Sequence, residues 1–207
     1  MKDGSLRSLF LIYINGFKML NNLFKVIIIF IFLSSVALCK ELDTDQQKID
    51  SAIQIIKQKS IFNSNIETLQ GKNYNHHPVK IIFKDLSSIQ YTFSKHYAIT
   101  ATDEQGDLYI LINNSLKGCD VRVLACLILH ESNHCKENKP DSVAEEILSH
   151  EQEIFLYASL LKEDASLKDL TNDRLVVREN RLKKLFDDAI QNYLSGNETY
   201  VNYLHLK

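Results

Sequence analysis

Tryptophan is absent from this 207-residue chain, proline occurs twice, and neither sign of charge dominates, 24 Lys and Arg standing against 26 Asp and Glu. The missing tryptophan goes with an abundance of Ile, Lys and Asn and reflects compositional bias. No Lys/Arg cluster tracks nucleic-acid phosphates, so nucleic acid is excluded as an expected partner. No internal repeat and no low-complexity tract interrupts the chain. Hydrophobic residues make up 45% and charged residues 24%, ordinary values for a globular chain of this length, which predicts one domain with its own core.

The longest apolar run, Val26–Leu33, is too short for the roughly 20 residues of a membrane span. Lys25 precedes it and the small residues Ser34, Ser35 and Ala37 follow, the pattern of a secretory signal peptide. The expectation is a signal or N-terminal anchor over residues 1–39, with Met19 an alternative start, and a single domain over residues 40–207. That domain is expected to be exported, periplasmic or secreted, and to meet a membrane only through the N-terminal segment if this is retained. Without Lys2, Arg7, Lys18, Lys25 and Asp3 the remainder is mildly acidic.

Beyond Cys39 the sequence holds Cys119, Cys126 and Cys135. Export permits a disulfide, but a helix over 121–135 separates Cys126 from Cys135 by about 13 Å at a rise of about 1.5 Å per residue, against the roughly 7 Å a bridge tolerates. Cys126 is expected to be a buried small hydrophobe.

Periodicity divides the chain into helices, a small sheet and more helices. Ile49, Ala52, Ile53 and Ile56 form a helical stripe after Thr44, and a second short helix over about 61–69 ends at Gly71. His76 and His77 fall in a polar loop. Residues 79–83, 89–93, 97–101 and 108–112 are short and rich in β-branched and aromatic types, which predicts four strands, with a turn at Gly106. Asp120 is placed to cap a helix over 121–134, apolar through Leu129 except for Arg122 and therefore a core helix. Ser142 and Glu145 start another helix with capping-box spacing. A last amphipathic helix covers about 172–194, with Leu175, Leu182, Leu185, Phe186 and Ile190 on its apolar side. The predicted class is α+β, a small mainly antiparallel sheet with a buried central helix and C-terminal helices.

The core helix ends in His130-Glu131-Ser132-Asn133-His134. Histidines four apart share one helix face, so both imidazoles can bind one tetrahedral Zn²⁺ at about 2.0–2.1 Å. Glu131 is placed to act as general base toward water at that metal. This spacing points to a zinc metallopeptidase with one Zn²⁺ and a protein or peptide substrate. A catalytic site needs a third protein ligand and leaves the fourth position open.

The motif, followed by the segment SVAEEILSHEQEIF, resembles the gluzincin metallopeptidases, which carry a third ligand, Glu, on a second helix. The resemblance covers about 108–161. A metzincin-type third His would fall where Pro140 stands. Family spacing, with a small residue at +3 and a polar one at +4, fits Glu146 followed by Ser149 and His150. The resemblance thus implies a zincin-like architecture, His130, His134 and Glu146 as ligands, and Glu145 left to complement the helix dipole. An acid is more usual where His150 stands. His150 either orients a ligand imidazole, serves as the third ligand in place of Glu146, or faces solvent. The resemblance further implies that the strand Leu108, Tyr109, Ile110, Leu111 and Ile112 pairs with extended substrate. Among Tyr157, Arg178, Arg181, Tyr200 and Tyr203 no oxyanion donor stands out. The alternative function is a non-catalytic, zinc-stabilised binding module of the cell envelope.

Overall fold

The computed structural model describes residues 44–137 and 142–194, with side chains to residue 191. Residues 1–39, expected to be a signal or anchor, and Pro140, Tyr200 and Tyr203 lie outside the described residues. Asp45–Lys207 cluster as one compact unit.

Helix α1 (44–57) buries Ile49, Ala52 and Ile56, apolar residues three and four apart that form one stripe. A 3-10 turn, Ser60–Phe62, leads into α2 (Asn63–Leu69). Gly71 stops α2 because the chain turns there with φ 112°, open to glycine at little cost. The Lys72 N–H then donates to the Glu67 carbonyl at 2.8 Å and the Gly71 N–H to that of Thr68 at 3.2 Å, the paired closure of a left-handed helix end.

Three strands follow, β1 (Lys80–Lys84), β2 (Ala98–Thr102) and β3 (Leu108–Asn113), in the order β1-β3-β2. The turn at Asp103–Asp107 joins β2 to β3 as an antiparallel hairpin, with Asp103 Oδ1 accepting from the backbone N–H groups of Gln105 and Asp107. β1 takes the other side of β3 in parallel. The sheet is therefore mixed, one antiparallel and one parallel pairing, compatible with the small sheet expected. Alternation reveals a strand's faces but not its direction, and β1 meets its partner across more than twenty intervening residues.

Residues 89–93 form no strand. The segment folds into 3-10 turns, Leu86–Ser88 and Tyr91–Lys95, leaving Ile89 and Tyr91 exposed. β-propensity expresses fit to a half-buried pleated surface, and among the described residues no strand pairs with this segment to supply one. Phe93 instead lines a cavity and packs edge-to-face on His96, ring centres 5.7 Å apart.

Leu108, Ile110 and Ile112 point from the central strand into the core and are fully buried. Helix α3 (Val121–His134) packs on that layer, held also by α2, α4 (Val143–Glu163) and α5 (Arg174–Leu194). Asp120 caps it, its carboxylate accepting from the Arg122 N–H at 2.8 Å, and Val123 to Leu129 are buried without exception. Leu175 and Phe186 of α5 are buried as expected, whereas Ile190 is exposed. Among the described residues no helix is long and apolar enough to cross a membrane. Among the described residues the architecture is α+β, with five helices and a three-stranded sheet.

Candidate metal centre

The last turns of α3 carry His130, Glu131 and His134 out of the dry core, and the side chains of Ser132 and Asn133 between them are hydrogen-bonded. Asn65 of α2 donates to Ser132 Oγ at 2.8 Å and to Asn133 Oδ1 at 3.0 Å, while Asn133 reaches Gln152 of α4 at 3.2 Å. These contacts fix the end of α3 against both neighbouring helices. Ser142 caps α4, accepting from the Glu145 N–H at 3.1 Å, which sets the phase that turns Glu146 toward α3.

Three potential ligand residues converge there. His130 Nε2 and His134 Nε2 lie 3.3 Å apart, and the two oxygens of Glu146 lie 3.5 Å from each in turn. Around a tetrahedral ion with bonds of about 2.0–2.1 Å, neighbouring ligand atoms stand about 3.3–3.4 Å apart. Behind the rings, His130 Nδ1 faces Glu153 Oε2 at 3.2 Å and His134 Nδ1 faces Glu145 Oε1 at 3.4 Å. With the ring protons on Nδ1, both Nε2 atoms would present lone pairs toward Glu146, and in that tautomer the donor set fits a metal ion.

His150 stands beside this group. Its Nε2 is 3.9 Å from Glu146 Oε2, its Nδ1 is hydrogen-bonded to Glu153 Oε2 at 2.9 Å, and its ring centre is 4.5 Å from that of His130. His130, Glu146 and His150 together offer ligand atoms that all lie within 4.8 Å of one another. The structure thus brings together all the ligands and the alternative ligand expected from sequence. Glu145, expected only at the helix N-terminus, also faces His134.

Sequence reasoning missed Glu153. It is fully buried, touches both His130 and His150, and binds the guanidinium of Arg178 from α5. Burial alone raises a carboxyl, yet Arg178 and the two imidazoles hold Glu153 well below the usual range. Burial alone lowers His130, but Glu153 outweighs it and the net shift is upward. A signal for Glu153 existed: it lies on the α4 stripe with Ser149, Leu156, Tyr157 and Leu160, all buried, and a carboxylate on a buried stripe needs partners.

Glu131 is buried, which pushes its carboxyl upward, and Thr100 Oγ1 on β2 donates to its Oε2 at 3.0 Å. A cavity of about 780 Å³ opens onto His130, Glu131, His134 and Glu146, and all five residues of β2 line it. Strand β3, expected to pair with substrate, has β1 on one side and β2 on the other, so its main chain is already engaged. The exposed edge at the cavity belongs to β2, along whose outer side no strand pairs among the described residues. Position in the sheet, set by the distant β1, moves that role off Leu108–Ile112.

Tyr157 is fully buried and donates to Asn180 Oδ1 at 2.8 Å, so it is no donor to the cavity. Arg178 lines the cavity but is held by Glu153 and Glu179, and Arg181 does not line it. Cys119, Cys126 and Cys135 are free and buried; burial pushes the thiols of Cys119 and Cys135 up to about 12. His76 and His77 are exposed loop residues.

No family model matches this chain, and neither a curated protein nor a solved structure does.

Proposed function

We propose that this protein is an exported zinc metallopeptidase of zincin-like architecture, with Zn²⁺ held by His130, His134 and Glu146. The observation that carries the reading is the pair of Nε2 atoms 3.3 Å apart facing one carboxylate, at the floor of a cavity that also holds Glu131. Zinc bound there supplies Lewis acidity, acidifying water and polarising a carbonyl. Glu131 accepts the proton from the attacking water and delivers it to the leaving amine. The outer edge of β2 pairs with the main chain of an extended peptide, a mode in which backbone bonds supply affinity and side-chain pockets supply selectivity. Glu153 and Glu145 hold the two imidazoles in the ligand tautomer.

Purified protein is expected to bind about one Zn²⁺ per chain, and saturating zinc at about 100 times its Kd to stabilise the fold by about 2.7 kcal/mol over chelator-treated protein. Glu146→Gln should weaken zinc retention, a neutral oxygen replacing a charged one. Glu145→Gln should do so only mildly, since it removes a carboxylate behind His134 and leaves the ligands in place. Metal analysis of the variants after dialysis decides the ligand set. Zinc lost on His150→Ala but kept by Glu146→Gln would make the histidine the third ligand; no zinc uptake by the parent would end the reading. The zinc-stabilised binding module draws its support from His150, whose Nε2 stands near enough to close a fourth position, and a parent with zinc but no hydrolysis would favour it. Export rests on residues 1–39, and N-terminal sequencing of protein recovered outside the cytoplasm should find a start near Leu38 or Lys40.

A further inference from the structure

Thr100 occupies an unusual place in the sheet. It sits midway along β2, in register with Ile110 of β3, in the row that faces α3 together with the buried Ala98. The row's other members on β3, Leu108, Ile110 and Ile112, are fully buried and apolar. Thr100 is half-buried at the cavity, and the partner its hydroxyl meets there is Glu131: Thr100 Oγ1 is 3.0 Å from Oε2 and 3.4 Å from the Glu131 carbonyl oxygen. Among the described residues Glu131 Oε1 receives no hydrogen bond, so one oxygen of the carboxylate is tied and the other is left for chemistry.

We propose that Thr100 is a positioning residue that couples the substrate edge to the general base: its hydroxyl holds Glu131 Oε2, and its backbone belongs to the β2 edge along which substrate pairs. This rests on the peptidase reading above. A single residue then joins the two events. A peptide that pairs along β2 restrains the main chain at Thr100, and through one side chain restrains the direction of the Glu131 carboxylate. A ligand that coordinates the metal without pairing along β2 gains no such alignment. Misplacing a catalytic group by about 1 Å can cost about 10²-fold in rate, so the effect belongs in kcat more than in KM.

The test compares Thr100→Val, which keeps shape and removes the donor, with Thr100→Ser, which keeps the donor. With a pool of quenched fluorescent peptides and zinc-loaded protein, Thr100→Val is expected to lower kcat about 10- to 100-fold with KM and zinc content unchanged, and Thr100→Ser to recover most of it. In the Glu131→Gln background Thr100→Val should lower kcat no further. A second readout needs neither metal nor activity. In zinc-free protein, Thr100→Val should lower the urea midpoint when Glu131 is present and leave it unmoved in a Glu131→Met background, because only the carboxylate is stranded by loss of the donor. Additive shifts in that cycle, or a Thr100→Val enzyme within twofold of the parent in kcat, would overturn the proposal. A parent that hydrolyses nothing would remove the peptidase reading and the catalytic role with it, while the unfolding cycle would still decide whether Thr100 holds Glu131.

Discussion

Glu131→Gln is expected to lower kcat/KM by about 10²- to 10⁴-fold while zinc stays at the parent stoichiometry. The amide is nearly isosteric and its oxygen can still accept from Thr100 Oγ1, which now stands 3.0 Å from Oε2. The pocket that encloses Glu131 is therefore kept, and so are His130, His134 and Glu146. What disappears is a group that can take up a proton. Burial favours the neutral form of Glu131 and pushes its carboxyl up from 4.5, which makes it a better proton acceptor than an exposed carboxylate once ionised. Metal analysis and peptide hydrolysis on the same preparation read the two roles apart. Activity within a few-fold of the parent would remove Glu131 from catalysis, and loss of zinc would show that the side chain supports the metal instead.

The site was legible in the sequence to the extent that one helix carries it. Asp120, the apolar run to Leu129 and the two histidines are contiguous, so local rules fix their relative placement once the segment is helical. Glu146 required a second helix, and there only the resemblance to gluzincin spacing, with Ser149 and His150 at i+3 and i+4, singled it out from Glu145. Glu153 lies seven residues past Glu146, on the same face two turns on, but its meaning depends on Arg178 arriving from α5. No local pattern shows that arrival. The sheet divides in the same way. The β2–β3 hairpin is local and was read from its turn, whereas the parallel pairing of β1 with β3 is not, and it alone decides which strand keeps a free edge. Ile89–Phe93 shows the converse, strand-forming residue types with no strand beside them to complete a sheet.

Removing the guanidinium at Arg178 should have the largest effect on stability. Arg178→Met retains a long apolar stem but leaves Glu153 and Glu179, both fully buried, without their shared cation. Breaking a buried ion pair by deleting one partner costs about 3–5 kcal/mol, at least about a fifth of the roughly 5–15 kcal/mol that holds a domain together. The stacking of Arg178 over Tyr97, 5.4 Å from the ring centre, adds about 0.5–1 kcal/mol at most sites of this kind and does not decide the outcome. The two carboxyls are not equivalent. Arg178 and the imidazoles keep Glu153 ionised, whereas burial and the neighbouring Glu153 push Glu179 well above 4.5. Glu179→Gln should therefore be tolerated, the amide replacing a carboxyl whose neutral form burial and Glu153 favour. The sign of the pH dependence follows. A group whose carboxyl is raised by folding stabilises the native state fully below its unfolded value of 4.5 and loses that contribution as pH rises through the higher folded value. Relative to the parent, Glu179→Gln should gain stability as pH climbs above about 4.5. Combined with Arg178→Met it should recover part of the loss at the upper end of the pH range, where Glu179 would otherwise ionise without a cation beside it. Urea unfolding of the zinc-free proteins across that range measures all three. If Arg178→Met costs under about 1 kcal/mol, well below the buried-pair range, water or another cation reaches Glu153, and the network does not hold His130 in the way described.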